Sequence, residues 1–526
     1  MRVSLFVAFR FAWAAGFCLL FTGGTAVAIE NAELAAANSS ITPEELKRHV
    51  DVLSDDSFEG REAGSRGGRA AGNYLWQHFE KNGLKGVGDN GSYFQTFNGT
   101  ARNIVGLLEG SDPELKREIV LIGAHYDHVG YGKPNNSYGP WGYIHNGADD
   151  NASGVAGLLE VLDAFKQLPM PPKRSILFAL WDGEEQGLLG SQHWTANPTL
   201  PLDRIVLAIN LDMIGRLRNG KVEVIGSRSG SGLRRLVSEA NREAGQGNGL
   251  LGGLDLDFTY KLKADSDHWP FFARSIPIVM FHTGLHGDYH RPSDDAHRIN
   301  VEGIGSVGRL VLHTILLAAE EGQGIRFRDV ARRETTYHQA ALEQPIPPRP
   351  PQFGMSFKLE PGEEPRLVVT GVSRGLPAER GGLKEGDRLV AFQGMPVKDE
   401  ARFRLELLAS SGETTLVVER TGVAEPVTLK ITPQGGPVRV GISWRVDDAE
   451  PDVVVLTQVI NGSPAQQAGL MLRDRIYSVN GQRFNGSDAF ARLLSSLPGP
   501  LEMEVERNGQ LKIVSLHLLE KVAAAE

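Results

Sequence analysis

Between Thr42 and Glu321, short apolar runs alternate with helical patterns, and this alternation limits the fold more than any other feature of the chain. Glu118 to Ala124, Ser175 to Trp181, Arg204 to Leu211 and Ile278 to Phe281 are each bounded by Gly, Pro or Asp, as buried strands are. Thr42-Pro43-Glu44-Glu45 reads as a capping box with proline at the first helical position, opening a helix toward Leu53. Ala70 to Phe79, Val155 to Phe165, Leu233 to Glu243 and the closing stretch Val301 to Glu321 also read as helices. Strands alternating with helices predict an α/β layered domain around a largely parallel sheet.

The ends of these runs carry chemistry. His125-Tyr126-Asp127 follows the first, Asp182-Gly183-Glu184-Glu185 the second and Asp212 the third, while Gly147 to Gly154 (GADDNASG) introduces the helix at Val155. In open α/β sheets, ligands gather at the carboxyl ends of the strands. Taken singly, each of these residues reads as a loop residue, a helix cap or a solvated acid. Their coincidence at several independent strand ends is what points to a site. Imidazole with carboxylate suits zinc, and a catalytic zinc keeps one position open. Two such ions about 3.5–4 Å apart can share a carboxylate.

HYDH, GADDNASG, DGEEQGLLGS, NLDM, DSDH and DYHRPSD occur in this order. The set resembles the co-catalytic zinc exopeptidases of the secreted bacterial aminopeptidase and glutamate carboxypeptidase group, over roughly Pro43 to Glu321. The resemblance implies a three-layer α/β/α domain with a mostly parallel mixed sheet and two zinc ions. His125 and Asp212 would hold one zinc, Glu185 and His290 the other. Asp150 would bridge them, with Asp149 shaping the loop. Glu184 would be the general base and Asp127 would orient His125. The implied activity is that of an aminopeptidase acting on peptides or proteins. A carboxypeptidase of the same fold and an inactive peptide-binding scaffold are the alternatives.

Other histidines are weaker candidates. His282, His286 and His290 have helical spacing, but Gly284 and Gly287 argue against a helix, which leaves His290 alone. His268 either lines the cleft or packs, and His145 reads as a loop residue. Gly371-Val372-Ser373-Arg374-Gly375 matches the serine-hydrolase G-x-S-x-G pattern without its strand-to-helix setting, and reads as a turn.

Gln344 to Pro351 (QPIPPRPP) reads as a stiff, extended linker. Beyond it the chain repeats itself. Gly354 and Gly441, Pro377 and Pro464, Leu383 and Leu470, Asp387 and Asp474, and Gly394 and Gly481 are all 87 residues apart. Valine-rich repeats of this length with turn glycines predict two small β-rich modules. GVSRGLPAERGGLKEGDRLVAFQG and VINGSPAQQAGLMLRDRIYSVNG resemble the PDZ modules of bacterial periplasmic proteases. In those modules a peptide adds as a strand and a glycine loop takes its terminal carboxylate. Phe353 to Phe357 and Val440 to Trp444 would be the loops, and Arg473 replaces Gly386 in the second repeat. The repeats contain one histidine, His517, so they are expected to modulate the chemistry rather than perform it.

Arg2 and Arg10, the apolar run Phe11 to Phe21 and Ala26-Val27-Ala28 describe a secretory signal. Export to the periplasm or medium follows, and no later segment is expected to span a membrane. The one cysteine, Cys18, lies inside this signal, which excludes disulfides and cysteine-zinc sites from the mature chain. A net charge of −9 gives no reason to expect a nucleic-acid partner. The expected layout is a signal over 1–28, an exopeptidase domain over 29–340, a linker over 341–351, and PDZ-like modules over 352–434 and 437–520.

Overall fold

A computed structural model describes residues 31–246, 253–320, 324–349, 352–361 and 366–518; the export signal expected over 1–28 lies outside them. Among the described residues the first sheet contains β1 (Lys85–Gly86), β2 (Phe94–Phe97), β3 (Ala101–Leu108), β4 (Ile119–His125), β5 (Ser175–Trp181), β6 (Ile205–Leu211), β7 (Lys221–Ile225), β8 (Asp255–Thr259) and β9 (Ile278–His282). Their order is β1-β3-β5-β4-β6-β9-β7-β8, with β2 beside β3. β5, β4, β6 and β9 form a parallel centre. β3 joins β5, and β7 joins β9, in antiparallel fashion. The sheet is mixed, and it is parallel where the motif-bearing strands lie.

Alternation builds the layers. Val120, Ile122 and Ala124 of β4 face one core, while Ile119 and Leu121 face the other. The first core is covered by α1 (Asn31–Ser40), α2 (Pro43–Leu53), α3 (Arg66–Lys81) and α4 (Gly154–Phe165). α5 (Leu189–Ala196), which lies on the opposite face, supplies Trp194 to the second core. α6 (Leu233–Gln246) returns to the first face. α7 (Trp269–Ala273) adds Phe271 and Phe272 to the second, and α8 (Val301–Glu320) closes the first. Thr42 caps α2 by accepting from the Glu45 amide, as the capping pattern predicts. By length and composition α8 is apolar enough to cross a membrane, but most of it is buried, and it packs on α4 and α6. Its apolar circumference reflects a place in the domain core.

Each repeat folds into its own antiparallel sheet. Pro377 and Pro464 occupy the first turn of equivalent short helices. Asp387 pairs with Arg420 through two contacts of 2.7 Å, and Asp474 with Arg507 at 2.6 and 2.7 Å. The two arginines keep the same 87-residue offset. A Cβ on Gly354 would lie 2.4 Å from Leu376, and one on Gly441 would lie 2.1 Å from Ser463, so both loops need glycine for close approach. Arg473 departs from its glycine counterpart only in sequence: it adopts φ 70° and keeps the turn.

The second module is docked onto the α/β domain. The Leu256 amide of β8 donates to Asn508 O at 2.8 Å, and Asn241 Nδ2 of α6 to Gly509 O at 2.9 Å. Arg228 donates to both oxygens of Asp447 at 2.7 and 2.8 Å, and Arg234 pairs with Glu506 at 2.9 Å. Buried Arg475 also meets Asp447, at 2.8 Å. The linker joins this contact: the Ile346 amide donates to Thr457 O at 2.9 Å and Gln458 Nε2 to Pro347 O at 3.1 Å. Its described residues 344–349 form neither helix nor strand, and Ile346 and Pro347 lie along the second module.

Burial pushes the Asp447 carboxyl up, yet Arg475 and Arg228 outweigh it and hold the group well below the usual carboxylate range. A carboxylate depressed in the folded state stabilises above its unfolded value near 4 and loses that contribution as pH falls toward its folded value. Asp447→Asn is expected to destabilise the chain by about 3–5 kcal/mol at neutral pH, the scale for breaking a buried pair. Thermal or urea unfolding should show this deficit largest near pH 7 and shrinking toward pH 3.

Candidate metal centre

Four adjacent strands bring the motif residues together. His125 is the last residue of β4, Asp212 follows β6 directly, and Glu184 and Glu185 follow β5. Asp150 lies in the turn that introduces α4, and His290 in the loop after β9. Because β5, β4, β6 and β9 are parallel neighbours, their carboxyl ends open into one cleft.

Asp150 lies between two groups. Its Oδ1 is 3.4 Å from His125 Nε2, which is also 3.5 Å from Asp212 Oδ1. Its Oδ2 is 3.0 Å from His290 Nε2, which is also 3.1 Å from Glu185 Oε2. Donor atoms held tetrahedrally at about 2.0–2.1 Å from a zinc ion stand about 3.3 Å apart. The observed spacings fit that ion on both sides. His290 Nε2 is thus turned between two carboxylate oxygens, one from each acid. Glu184 joins His125 and Asp212 in the first group.

Other residues orient these. His290 Nδ1 lies 2.9 Å from Asn136 O and His125 Nδ1 lies 3.2 Å from Asp127 O, so each ring turns Nε2 toward the carboxylates. The Asp127 carboxylate stands 3.8 Å from His125 and instead accepts the Glu184 and Glu185 amides at 3.0 and 3.4 Å. It therefore positions the β5 strand end as well as the histidine. Buried Arg61 donates to Tyr126 O, Leu53 O, Asn146 O and Gly147 O, tying the HYDH strand end to the GADD loop. Asp294 Oδ2 accepts the amides of Asp149 and Asp150 at 2.9 and 3.0 Å.

The electrostatics favour cations. Burial pulls His290 down, but hydrogen bonds and charges from Asp150 and Glu185 dominate and push it up to about 11. His125 is likewise held well above its usual value, with Glu184, Asp212 and Asp150 outweighing burial. Burial, helped by Glu185, Asp267 and Asp212, raises Glu184 well above the usual carboxylate range.

Residues 103–315 match peptidase family M28, and 344–419 and 455–507 each match the PDZ domain. The chain carries an M28 domain followed by two PDZ domains. It is 29% identical over 234 residues to aminopeptidase YwaD of Bacillus subtilis (strain 168), covering 43% of this chain and 46% of that protein. It is 28% identical over 222 residues to leupeptin-inactivating enzyme 1 of Streptomyces exfoliatus, covering 40% and 46%. The chain thus spans a little under half the length of these curated relatives. Among solved structures, the Legionella pneumophila LapA aminopeptidase is 19% identical, covering 56% of this chain and 77% of that one, with a TM-score of 0.45.

The M28 domain also disposes of the remaining histidines. His145 Nε2 faces Ser137 Oγ at 2.6 Å within its own loop. His268 is buried, with Nε2 3.0 Å from Lys263 O. His286 pairs with Asp149 at 3.0 Å, and Asp149 also accepts from Gly215 N and Ser153 Oγ, so this acid shapes the loop. His128 was missed by sequence reasoning. Its Nδ1 lies 2.8 Å from Glu185 Oε1, and its ligand atom groups with Asp150, Glu185 and His290. The signal was the second histidine of HYDH, three residues beyond His125.

Asp150→Ala should remove a donor from both halves of the centre at once, whereas Asp149→Ala should leave substantial metal. Zinc titration of the two variants checks this; the reverse ranking would move the shared position to Asp149.

Proposed function

We propose that this chain is an exported two-zinc exopeptidase, an aminopeptidase, whose PDZ domains recruit substrate or partner chains. The observation that carries the reading is Asp150, with one oxygen facing His125 and the other facing His290. In this reading His125 and Asp212 hold one zinc, Glu185 and His290 the other, and Asp150 both. Bound there, a zinc pair supplies Lewis acidity toward a scissile carbonyl and acidifies water. Glu184, beside His125 and Asp212, accepts the proton of the attacking water and returns it to the leaving amine. Asp127 fixes the amide of Glu184, so the base is held at the strand end.

Charge supports cleavage from the amino end. The guanidinium of Arg61, the buried arginine beside the cleft, is occupied by four carbonyls. With its guanidinium so occupied, Arg61 offers no free cation to a terminal carboxylate. The name of the Bacillus subtilis relative agrees. Tyr131, Tyr138, Trp141 and Tyr143 are exposed along the loop that reaches His290, where they offer apolar surface to a substrate side chain. Export rests on the basic, apolar and A-x-A pattern of residues 1–28.

The second PDZ domain is the stronger candidate for chain capture. Its groove is lined by Val440, Gly441, Ile442, Trp444, Ala491 and Leu494, with Arg349 and Arg439 alongside. In the first PDZ domain Arg404 lies over Phe357 and abuts Gly462 of the second.

Glu184→Gln is expected to keep its metal and lose about 10²–10⁴ in turnover, the usual contribution of a general base. Near-normal turnover in the metal-loaded variant would remove Glu184 from the mechanism. A peptide panel with free and blocked ends, assayed with and without chelator, should show cleavage that needs a free amino end and metal. Cleavage that instead needs a free carboxyl end would support the carboxypeptidase alternative.

A further inference from the structure

A second group of metal-type ligands lies in the helical layer, apart from the cleft. His49 of α2, His78 of α3 and Asp163 of α4 place one ligand atom each within 4.8 Å of one another. Glu160, one turn before Asp163 on the same face of α4, reaches the group through His49: its Oε1 lies 3.4 Å from His49 Nε2. His78 Nε2 is 3.0 Å from Asp163 Oδ1, and the two imidazole rings meet edge to face with centroids 5.1 Å apart.

The decisive feature is what these groups lack. Glu160 is fully buried, and neither of its carboxylate oxygens has a hydrogen-bond partner. His49 is 1% exposed, and its Nε2 also has none. Burying a carboxylate without a partner is costly, and natural interiors pair such groups or give them a metal. His49 Nδ1 is meanwhile 2.6 Å from Tyr74 OH, a contact that fixes the ring and leaves Nε2 toward Glu160. This is how metal-binding imidazoles are usually oriented.

We propose that His49, His78, Glu160 and Asp163 form a third zinc site, separate from the catalytic centre, that clamps α2, α3 and α4 together. His49, His78 and Asp163 supply nitrogen and oxygen donors of the types zinc takes, and Glu160 stands beside His49 as the fourth. Donor spacings of 3.0 and 3.4 Å match the roughly 3.3 Å that such a site requires. The clamp acts directly on the helix whose first turn follows the Asp150 loop. Glu160 is six residues into α4 from Gly154, about 9 Å along its axis.

Two full-length proteins test this by metal content after chelator stripping and zinc reloading. The first is His78→Gln with Asp163→Asn, at the two less buried positions, so that folding is least disturbed. It should bind one zinc fewer per chain than wild type and retain peptide turnover, whatever number the cleft itself holds. The second is Asp150→Ala, Glu185→Ala and Asp212→Ala together, which disables the cleft. It should still bind one zinc, and zinc should still raise its Tm. Equal metal content in wild type and the first protein, or no zinc in the second, would overturn the proposal. In either case Glu160 and His49 face each other with no metal between them. The second protein separates the two readings, because failure of the cleft assignment would leave its metal content near that of wild type.

Discussion

Five carboxylates, from Asp127, Asp150, Glu184, Glu185 and Asp212, converge where β4, β5 and β6 end. Like charges gathered away from water repel one another, and each also carries the cost of burial. The fold keeps them together through fixed donors. Arg61 binds carbonyls on both flanking segments, Asp294 holds the amides of the Asp149-Asp150 turn, and Asp127 holds those of Glu184 and Glu185. None of these contacts neutralises the ligand oxygens themselves. Divalent cations would do so, and the carboxylates of Asp150 and Glu185 push His290 up against the effect of burial.

The scaffold beneath is shaped by that requirement. A parallel centre puts four strand ends on one edge, and antiparallel joins complete the sheet outward. The short α5 and α7 cover one face with Trp194, Phe271 and Phe272, while the longer helices cover the other. Positions on strands are rigid, which a multi-residue centre needs if its atoms are to stay within a few tenths of an ångström.

The PDZ domains differ in how they relate to this scaffold. The second shares a buried network of Arg228, Arg234 and Arg475 with Asp447 and Glu506, a main-chain bond runs from β8, and the Asn241 side chain of α6 adds another. It behaves as an extension of the M28 domain. Movement of its groove relative to the cleft would require breaking several charge-assisted bonds, so any captured chain is presented from a defined direction.

Much of this was legible along the chain because it depends on neighbours in sequence. Apolar runs of seven residues, the Thr42 cap and the 87-residue repeat each predicted an element that the structure contains. The cleft residues were legible through ordered motifs, since a strand end and the loop after it are contiguous. β3, β7 and β8 escaped notice: β7 and β8 are short runs near one edge, and β3 carries polar Arg102 and Asn103 directly after its first residue. Tertiary structure alone decided the pairings. Arg228 with Asp447, His128 with Glu185, and His49 with Glu160 join residues whose local patterns read as solvated or merely helical. The physical reason is that hydrophobic period and capping act over a few residues, whereas the partner of a buried charge is set by which surfaces the packed layers bring into contact.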